Sequence, residues 1–461
     1  MKKDWNGMSV VILGAARQGQ ALARFLVRQG AVVTLSDMRS AAQLNQALQS
    51  LEGLPIRWAL GGHPLELLDG SDLLCLSGGI PLDLPIVVEA QRRDLPLSND
   101  SQIFMEAMPC RVIGITGSAG KTTTTTLVGR MAEAAVVLPQ KAWVGGNIGL
   151  PLIDRLDEIS SKDIVVLELS SFQLEQMTIS PQVAAILNIT PNHLDRHISM
   201  EVYMAAKARI LAFQGPQDTA VLGREDPVAW SQMAPQVKGR RVSFSFAPPP
   251  AGESGAFLQD DVFCFQDGSQ ITELAPRSLV TLRGRHNLLN TLAACAVASA
   301  AGLPVQAIQK GIAGFNGVPH RLELVRKLQG ICWYNDSIAT APERTIAAIQ
   351  SFEEPLVLLL GGRDKKLPWD KLADLIHERV DHVIVFGEAS LKILQSLGPQ
   401  RPGYRPDTLE HCQTLQEALQ AAANVARPGD VVLLSPGGTS FDEFKDFEER
   451  GECFKKWVNQ L

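Results

Sequence analysis

A glycine-rich segment that follows a short apolar strand constrains the fold of this chain more than any other feature. Residues 112–126 read VIGITGSAGKTTTTT, so an apolar strand at 112–115 leads into a glycine turn, a Lys-Thr pair and a helix. Glycines let the backbone turn its N–H groups toward a phosphate, and a helix N-terminus adds partial positive charge. Lys121 can neutralise the β- and γ-phosphates of a nucleotide, and the Thr122 hydroxyl can bind their Mg²⁺. We interpret the segment as an ATP site.

The spacing departs from the usual P-loop at one position. Ile115 stands where that pattern has a glycine, and Gly114 and Gly117 flank it. A glycine turn that precedes a helix by chance is the alternative, which the strand–loop–Lys-Thr–helix order disfavours. The ATP contacts predicted in this segment are Gly117, Ser118, Ala119, Gly120, Lys121, Thr122 and Thr123.

Length and composition exclude several classes of protein. At 461 residues the chain can hold about three domains of ~150 residues each. A net charge of −6 argues against a nucleic-acid partner, which would need a concentrated basic face. No apolar run approaches the ~18 residues of a membrane span, and the N-terminus lacks the layout of a signal peptide. Seven cysteines without a CxxC pair indicate reduced thiols. We therefore expect a cytoplasmic protein without a nucleic-acid or membrane partner. We separately expect a monomeric enzyme that acts on small molecules.

Residues 1–109 have the pattern of a Rossmann-like domain. A strand at 8–13, the turn GAARQG, a helix at 21–29 and a strand at 31–35 form a βαβ unit, and Asp37 follows its second strand. The dinucleotide fingerprint GxGxxG has Ala16 at its second glycine, so the pattern for NAD is weak. Another nucleotide or a diphosphate fits as well. Ser77 and Gly79 follow a third strand, predicted at 73–76, on the same edge, where a plain structural turn is the alternative.

The predicted central domain, residues 110–316, carries three further segments with chemical potential. Glu168 interrupts the apolar strand DIVVLELSS, where a carboxylate is costly unless it binds a metal or a cation. We favour Mg²⁺ over a buried salt bridge. The strand at 183–189 is followed by TPNHLDRH, in which His193 and Asp195 can bind a metal or support its ligands. Lys207 lies among alanines in the helix YMAAKARI, and taken alone it fits an exposed lysine whose stem covers apolar surface.

The rest of this domain and the last one are predicted more coarsely. Residues 145–149, GGNIG, form another glycine-rich loop, and residues 241–275 look like a small β excursion. The helix that starts HNLLN carries amides that could contact a base. In residues 317–461, strands at 331–334, 356–360, 382–386 and 431–434 alternate with helices, which predicts an open parallel sheet. Ligands bind beyond the carboxyl ends of such strands, and the basic residues there suit an anionic acceptor.

Together these segments resemble the Mur ligase family, ATP-dependent enzymes that form amide bonds in cell-wall precursor synthesis. In chain order the motifs are GITGSAGKTT, GGNIG, LELSSFQLE, NITPNHLDRH, YMAAKARI, HNLLN, PHRLE, NDSIAT, LLLGGRDKK and LLSPGGTSFDEFKDFEERG. The resemblance covers essentially the whole chain. It implies an α/β protein with a Rossmann-like N-terminal domain that binds the UDP substrate, a central P-loop ATPase domain with a small β excursion, and a Rossmann-like C-terminal domain that binds an amino acid.

The resemblance also implies roles for single residues. The catalytic set is Lys121, Glu168, His193 and Lys207. Two Mg²⁺ ions are expected on Thr122, Glu168, His193 and Lys207, the last as a carbamate derived from CO₂. The UDP substrate is expected at Arg17, Gln18, Asp37, Ser77, Gly79, Asn147 and Ser170. ATP is expected also at Asn290, Arg321 and Asp336. The amino acid is expected at Thr340, Lys365, Ser440 and Phe447.

Two positions depart from the family pattern. Ala119 replaces the usual asparagine of the P-loop, which removes a side-chain amide and leaves the backbone. Ile338 replaces the lysine of the SKAT-type motif, so a cation near the acceptor is missing or comes from elsewhere. Arg344, Arg363 and Lys366 are the candidates to replace it, and Arg363 is favoured because it follows a strand end.

The activity implied is the ATP-dependent addition of glutamate, expected as the D-enantiomer, to UDP-N-acetylmuramoyl-L-alanine through an acyl phosphate. Sister ligases that add another amino acid or L-glutamate, and folylpolyglutamate synthase, are alternatives within this class. A diamino-acid ligase is disfavoured because its DNPR-type motif is absent. A nucleotide-binding sensor or dehydrogenase is the alternative from another class, and Ala16 disfavours it.

Overall fold

The computed structural model describes most of the chain. For Leu194 and Asp195 it describes the backbone and not the side chains. The described residues are 4–149, 151–191, 194–197, 199–365, 367–400 and 403–461. They divide into two compact units, of which the first comprises Met1–Thr281 with Arg285–Phe315 and the second Leu282–Gly284 with Asn316–Leu461. The first unit contains two sheets, so this division into two units does not test the predicted domain boundaries at 109 and 316. Both boundaries stay predictions.

The first sheet of the first unit has five parallel strands in the order β3-β2-β1-β4-β5. Its strands are β1 Ser9–Leu13, β2 Val32–Asp37, β3 Ile56–Leu60, β4 Leu73–Leu76 and β5 Leu97–Ser98. Its helices are α1 Arg17–Arg28, α2 Asn45–Ser50, α3 Pro85–Arg92 and α4 Asp100–Ala107. Helix α1 begins at Arg17, earlier than predicted, because the turn after β1 needs only residues 14–16.

The second sheet of this unit has nine strands in the order β14-β13-β12-β11-β10-β9-β6-β8-β7. They are β6 Arg111–Thr116, β7 Ala142–Gly146, β8 Ile164–Glu168, β9 Val183–Ile186, β10 Thr219–Gly223, β11 Arg240–Phe244, β12 Ser254–Gln259, β13 Val262–Asp267 and β14 Gln270–Pro276. Its helices are α5 Lys121–Ala135, α6 Ser171–Leu174, α7 Leu194–His197, α8 Met200–Ala212, α9 Arg285–Ala300 and α10 Val305–Ile312. The predicted β excursion is part of this sheet, whose last two strand pairs are antiparallel.

Polar contacts join the two sheets of the first unit. Arg24 of α1 forms an ion pair with Asp154 at 2.6 Å. The Asn99 side-chain amide donates to the carbonyl oxygen of Gln173 at 2.8 Å, and Gln102 donates to Thr178 at 2.9 Å. These bonds hold α4 against α6 and the residues that follow it. The carboxyl ends of β4 and β8 therefore lie in one compact body.

The second unit contains a six-stranded sheet in the order β15-β16-β20-β17-β18-β19. Its strands are β15 Glu323–Leu328, β16 Ile331–Asn335, β17 Leu356–Gly361, β18 His382–Phe386, β19 Thr408–His411 and β20 Val431–Gly437. Its helices are α11 Pro342–Ile349, α12 Asp370–Arg379, α13 Ser390–Leu397, α14 Leu415–Val425 and α15 Phe447–Val458.

Five strands of this sheet are parallel, and β15 is antiparallel. Four of the parallel strands were predicted, and β19 was not. A two-residue hairpin turn explains the difference. Gln329 and Gly330 have φ of 50° and 83°, and Leu328 pairs with Ile331 directly across the turn. Positive φ at both central residues matches the twist of a hairpin. No helix in the described part of the chain combines the length and apolarity needed to cross a membrane.

Candidate active site

The glycine segment between β6 and α5 forms a turn that ends at the N-terminus of a helix. Gly120 has φ of 80° and directly precedes α5. A Cβ at this residue would lie 2.2 Å from Oδ1 of Asn290, so a side chain is excluded both by backbone conformation and by contact. The first N–H groups of a helix have no partner within it. The turn therefore offers an anion site, and Asn290, predicted to contact ATP, lies directly beside it.

Ser118 and Ala119 are held by the segment after β9. The backbone N–H of Ser118 donates to the carbonyl oxygen of Asn188 at 3.0 Å. The N–H of Ala119 donates to Oδ1 of Asn188 at 2.8 Å, and the Asn188 amide donates back to the Ala119 carbonyl at 3.1 Å. The Ser118 hydroxyl lies 2.9 Å from the hydroxyl of Tyr203. These bonds shape the turn, and direct contact of both residues with ATP stays a prediction.

Asn188 was missed in the sequence, although its position at the end of an apolar strand on the carboxyl edge was a usable signal. Its amide lies beside residue 119, where the family usually carries an asparagine.

Lys121 and Lys207 bind the same backbone oxygen. The ammonium of Lys121 donates to the carbonyl of Gly117 at 2.8 Å, and that of Lys207 donates to the same carbonyl at 2.9 Å. The Lys207 side chain is 1% exposed and lies 4.8 Å over the ring of Tyr203. Burial and the charge of Lys121 lower the pKa of Lys207 to about 7, while Glu168 acts in the opposite direction. The surface-lysine alternative for Lys207 is wrong.

Glu168 lies at the end of β8, in register with Ile115 of β6. It is 2% exposed, and its Oε1 accepts a hydrogen bond from the Asn147 amide at 3.0 Å. Its Oε2 is buried without a hydrogen-bond partner among the described residues. Buried polar atoms normally have a bonding partner, so this oxygen has the properties of a ligand for a bound group. Mg²⁺ binds oxygen ligands by preference. Glu168, with Thr122 at the start of α5, fits a divalent cation.

His193, predicted as a metal ligand, lies outside the described residues. Among the residues that the structure does describe, no three His, Cys, Asp or Glu side chains form a group that could hold a metal. The two-ion set therefore stays a prediction. Asn147, predicted to contact the substrate, touches Glu168, so the structure brings Asn147 to the same strand ends as the P-loop.

A buried histidine anchors the segment that follows His193. The ring of His197 lies 2.8 Å from the Ser171 hydroxyl through Nε2 and 3.0 Å from Glu175 through Nδ1. It stacks on Phe172 with ring centroids 5.1 Å apart. Sequence reasoning gave His197 no role, because nothing local in NHLDRH distinguishes it from an exposed histidine. We assign it the positioning of α7 against α6.

A narrow cleft separates the end of β4 from α6. Its walls include Ser77 and Gly78 on one side and Phe172 and Gln173 on the other. Ser170 caps α6, since its hydroxyl accepts from the Gln173 N–H at 3.2 Å. Of the predicted substrate residues, Ser77 lines this cleft, and Ser170 caps the helix that forms its other wall.

The remaining predicted UDP contacts lie on the carboxyl edge of the first sheet. Arg17 is exposed at the start of α1, and the Ser77 hydroxyl donates to the Gly14 carbonyl at 3.0 Å. Burial acts to raise the pKa of Asp37, but hydrogen bonds from Arg39 and the Ala15 N–H hold it below its usual range. Asp37 therefore braces this edge with its carboxylate. Gln18 lies near the backbone of residue 78, and Gly79 is exposed beside it.

The second unit brings the predicted acceptor residues to its strand ends. The Lys365 ammonium donates to the Thr340 hydroxyl at 3.1 Å. Arg450 is fully buried and donates to the carbonyls of Ser337 and Gly438 at 2.8 and 3.2 Å. It thereby joins the loop after β16 to the loop after β20. Ser440 and Phe447 lie in the segment between that second loop and Arg450, with Phe447 accepting a bond from the Ser337 hydroxyl at 2.8 Å.

Asp336 and Arg321, predicted to contact ATP, lie close together in this unit. Burial raises the pKa of Asp336 to about 7, and the charge of Arg321 is among the effects that oppose it. Both carboxylate oxygens accept bonds, from the Ser435 hydroxyl at 2.8 Å and the Leu322 N–H at 3.2 Å. Their contacts with the nucleotide stay predictions.

Comparison with known proteins was made for the whole chain. Three family models match in order: the Mur ligase MurD-like N-terminal domain at residues 8–98, the Mur ligase middle domain at 115–298, and the Mur ligase glutamate ligase domain at 320–438. A relative from Acetivibrio thermocellus named UDP-N-acetylmuramoylalanine--D-glutamate ligase is 40% identical over 463 residues, covering 100% of this chain and 98% of the relative. A relative of the same name from Symbiobacterium thermophilum is 40% identical over 98% of this chain and 97% of its own length.

Solved structures share the fold at lower identity. The UDP-N-acetylmuramate-alanine ligase MurC from Thermotoga maritima gives a TM-score of 0.56 at 19% identity, covering 98% of this chain and 99% of its own. The MurF ligase from Thermotoga maritima, solved with ADP, gives 0.56 at 18% identity over 99% and 96% of the two chains. The predicted α/β, three-domain fold class is confirmed. The chain belongs to the Mur ligase family.

Proposed function

We propose that this protein joins D-glutamate to UDP-N-acetylmuramoyl-L-alanine, converting ATP to ADP and phosphate in peptidoglycan precursor synthesis. The observation that carries the proposal is the buried Glu168, with an unpartnered Oε2, in register with the strand that leads into the P-loop. It occurs in a chain that aligns over its full length with relatives named for this reaction.

The central groups act mainly by position and charge. Lys121 and the N-terminus of α5 bind the ATP phosphates, and Thr122 and Glu168 would hold a Mg²⁺ ion, which would neutralise charge on the phosphates. The substrate carboxylate attacks the γ-phosphate and gives an acyl phosphate with release of ADP. The amino group of glutamate then attacks the acyl carbon, and phosphate leaves. Holding the reactants in line supplies much of the rate enhancement.

Substrate contacts follow from the positions of the predicted residues. The UDP substrate lies along Arg17, Gln18, Asp37, Ser77 and Gly79 and reaches Asn147 and Ser170 with its muramoyl end. Adenine lies at Asn290 beside Gly120. The amino acid is bound by four residues of the second unit, Thr340, Lys365, Ser440 and Phe447. The nucleotide is bound also by Arg321 and Asp336.

Lys207 acts as a carbamate in this proposal. Its neutral amine combines with CO₂ to give a carbamate and a proton, which replaces a buried cation beside Lys121 by an anion. With His193 this carbamate holds a second Mg²⁺. The support is the shared Gly117 oxygen, which places two ammonium groups together in a buried site.

An ADP-release screen tests the reaction. Purified protein is incubated with ATP, Mg²⁺, UDP-N-acetylmuramoyl-L-alanine and one amino acid at a time, with both enantiomers of glutamate. We expect ADP release that requires the UDP substrate and D-glutamate together. Release of ADP with L-glutamate, alanine or a diamino acid assigns a sister ligase. In a parallel mixture a folate replaces the UDP substrate, and release there with glutamate assigns a folylpolyglutamate synthase. Absence of release in every mixture contradicts a ligase.

Glu168→Gln tests the Mg²⁺ site, because it keeps the shape of the side chain and removes its charge. We expect the Mg²⁺ concentration for half-maximal activity to rise by at least roughly tenfold. Substitution of residues that only hydrogen-bond to metal ligands already lowers metal affinity by about this factor. Asp163→Asn is the matched control, since Asp163 is also buried and lies at the opposite end of the same strand. An unchanged Mg²⁺ dependence in Glu168→Gln contradicts the assignment.

A further inference from the structure

The turn at residues 338–340 is contacted by two cationic side chains. The guanidinium of Arg344 donates to the carbonyl oxygen of Ile338 at 3.1 Å. The ammonium of Lys365 donates to the hydroxyl of Thr340 at 3.1 Å. The N–H of Thr340 donates to the same Ile338 carbonyl at 2.9 Å, so the turn itself is tight. Arg344 of helix α11 and Lys365 of the loop after β17 therefore reach one three-residue turn.

The other candidate cation is already neutralised. Arg363 donates two bonds to Glu388, at 2.8 and 3.0 Å, in the bidentate geometry of a complete ion pair. Both side chains of this pair are about half exposed, at 49% and 54%. Lys366 lies outside the described residues. The structure thus shifts the preference from Arg363, favoured on sequence grounds, to Arg344.

Lys365 feels the charge of two neighbouring cations. Partial burial, Arg344 and the buried Arg450 all lower the pKa of Lys365. Acidic side chains lie near the other two cations, Asp336 near Arg344 and Asp442 and Glu443 near Arg450. Arg344 and Lys365 repel one another at the turn, and a carboxylate bound by both would relieve that repulsion.

We propose that Arg344 is the second cation of the amino-acid pocket and, together with Lys365, binds a carboxylate of the incoming glutamate. This inference rests on the proposed function and deepens it by naming a specificity residue. Arg344 can fill this role because it lies in the first turn of α11, and its guanidinium reaches back to Ile338. The arginine thereby supplies the charge that Ile338 cannot.

Steady-state kinetics with three varied substrates test this role. Arg344→Ala should raise the KM for glutamate by roughly 10- to 100-fold, the range for one lost hydrogen bond between charged groups. The KM values for ATP and the UDP substrate should change by less than about threefold, which is within ~0.7 kcal/mol. Arg344→Lys should recover part of the loss. Arg363→Ala is the matched control and should leave the glutamate KM unchanged.

A second arrangement tests the position of the charge. In the Arg344→Ala background, Ile338→Lys should lower the glutamate KM again, whereas Ile338→Lys in the natural sequence should be neutral or harmful because the space is occupied. A rise of all three KM values with a lower melting temperature would indicate a structural role and overturn the inference. An unchanged glutamate KM in Arg344→Ala overturns it as well. If the natural protein releases no ADP with glutamate, the proposed function fails first, and this inference fails with it.

Discussion

Replacing Lys121 with alanine should lower turnover by roughly 10²-fold or more, the scale expected for the loss of one electrostatic donor at a transition state. Lys121 is the single lysine of the loop, and its ammonium already lies within 2.8 Å of the loop carbonyl of Gly117. The phosphate oxygens of bound ATP compete for the same ammonium. Without it the developing charge of phosphoryl transfer has only Mg²⁺ and backbone N–H groups to stabilise it. The measurement is kcat by ADP release at saturating ATP.

The fold should survive this change. The Lys121 side chain is half-buried at the start of α5, and the bonds of Asn188 and Tyr203 to the turn remain when its own bonds to the Gly117 and Ser118 carbonyls are lost. A melting temperature within a few degrees of the natural protein, as expected for less than ~1 kcal/mol of lost stability, distinguishes a catalytic loss from misfolding. Lys162→Ala, which changes an exposed lysine in the turn before β8, is the matched control and should keep full activity. Near-normal turnover of a folded Lys121→Ala variant removes this loop from the active site.

Local patterns predicted the strands well, because each is an apolar run bounded by turn residues. The strands at Leu73–Leu76 and His382–Phe386 agree residue for residue with the prediction. The edge strand Glu323–Leu328 was missed because its sequence, ELVRKL, is largely polar and its hairpin turn is Gln-Gly. The position of such a strand is determined by the strand that it pairs with and by the backbone conformation of the turn. The periodicity of hydrophobic residues in the sequence reports neither of these.

The site was predictable where one segment carries it and less so where several meet. The P-loop is local, so its geometry followed from GSAGKT. The contact of Asn290 with Gly120, and the clamp of Asn188 on Ala119, join segments far apart in the chain. The burial of Lys207 was not evident from YMAAKARI, because alanines on both sides are compatible with an exposed and with a buried face. Only the packing of α8 against β6 decides between these two.

The same packing makes Lys207 the most sensitive position of the site. Its ammonium and that of Lys121 bind one carbonyl oxygen in a buried region, and like charges so close repel one another. The proposed carbamate at Lys207 would remove this conflict, since it would turn a buried cation into an anion that could bind Mg²⁺ near Glu168. We expect Lys207→Ala to be nearly inactive and to regain activity when short-chain carboxylic acids such as acetate or propionate are added.

Restoration of Lys207→Ala activity requires an added negative charge and an empty space that the carboxylic acid can occupy. Variants that lack one of these two conditions serve as matched controls. Lys207→Arg keeps a cation that cannot form a carbamate, so carboxylic acids should not restore it, because the longer side chain fills the site. Lys121→Ala should also stay unrescued, since its lost group is a cation. A ¹³C-labelled carbamate signal from the natural protein under ¹³CO₂, absent in Lys207→Ala, would support the modification directly. If carboxylates restore nothing and active enzyme carries an unmodified amine at Lys207, the carbamate is excluded, and the buried lysine must act as a cation beside Lys121.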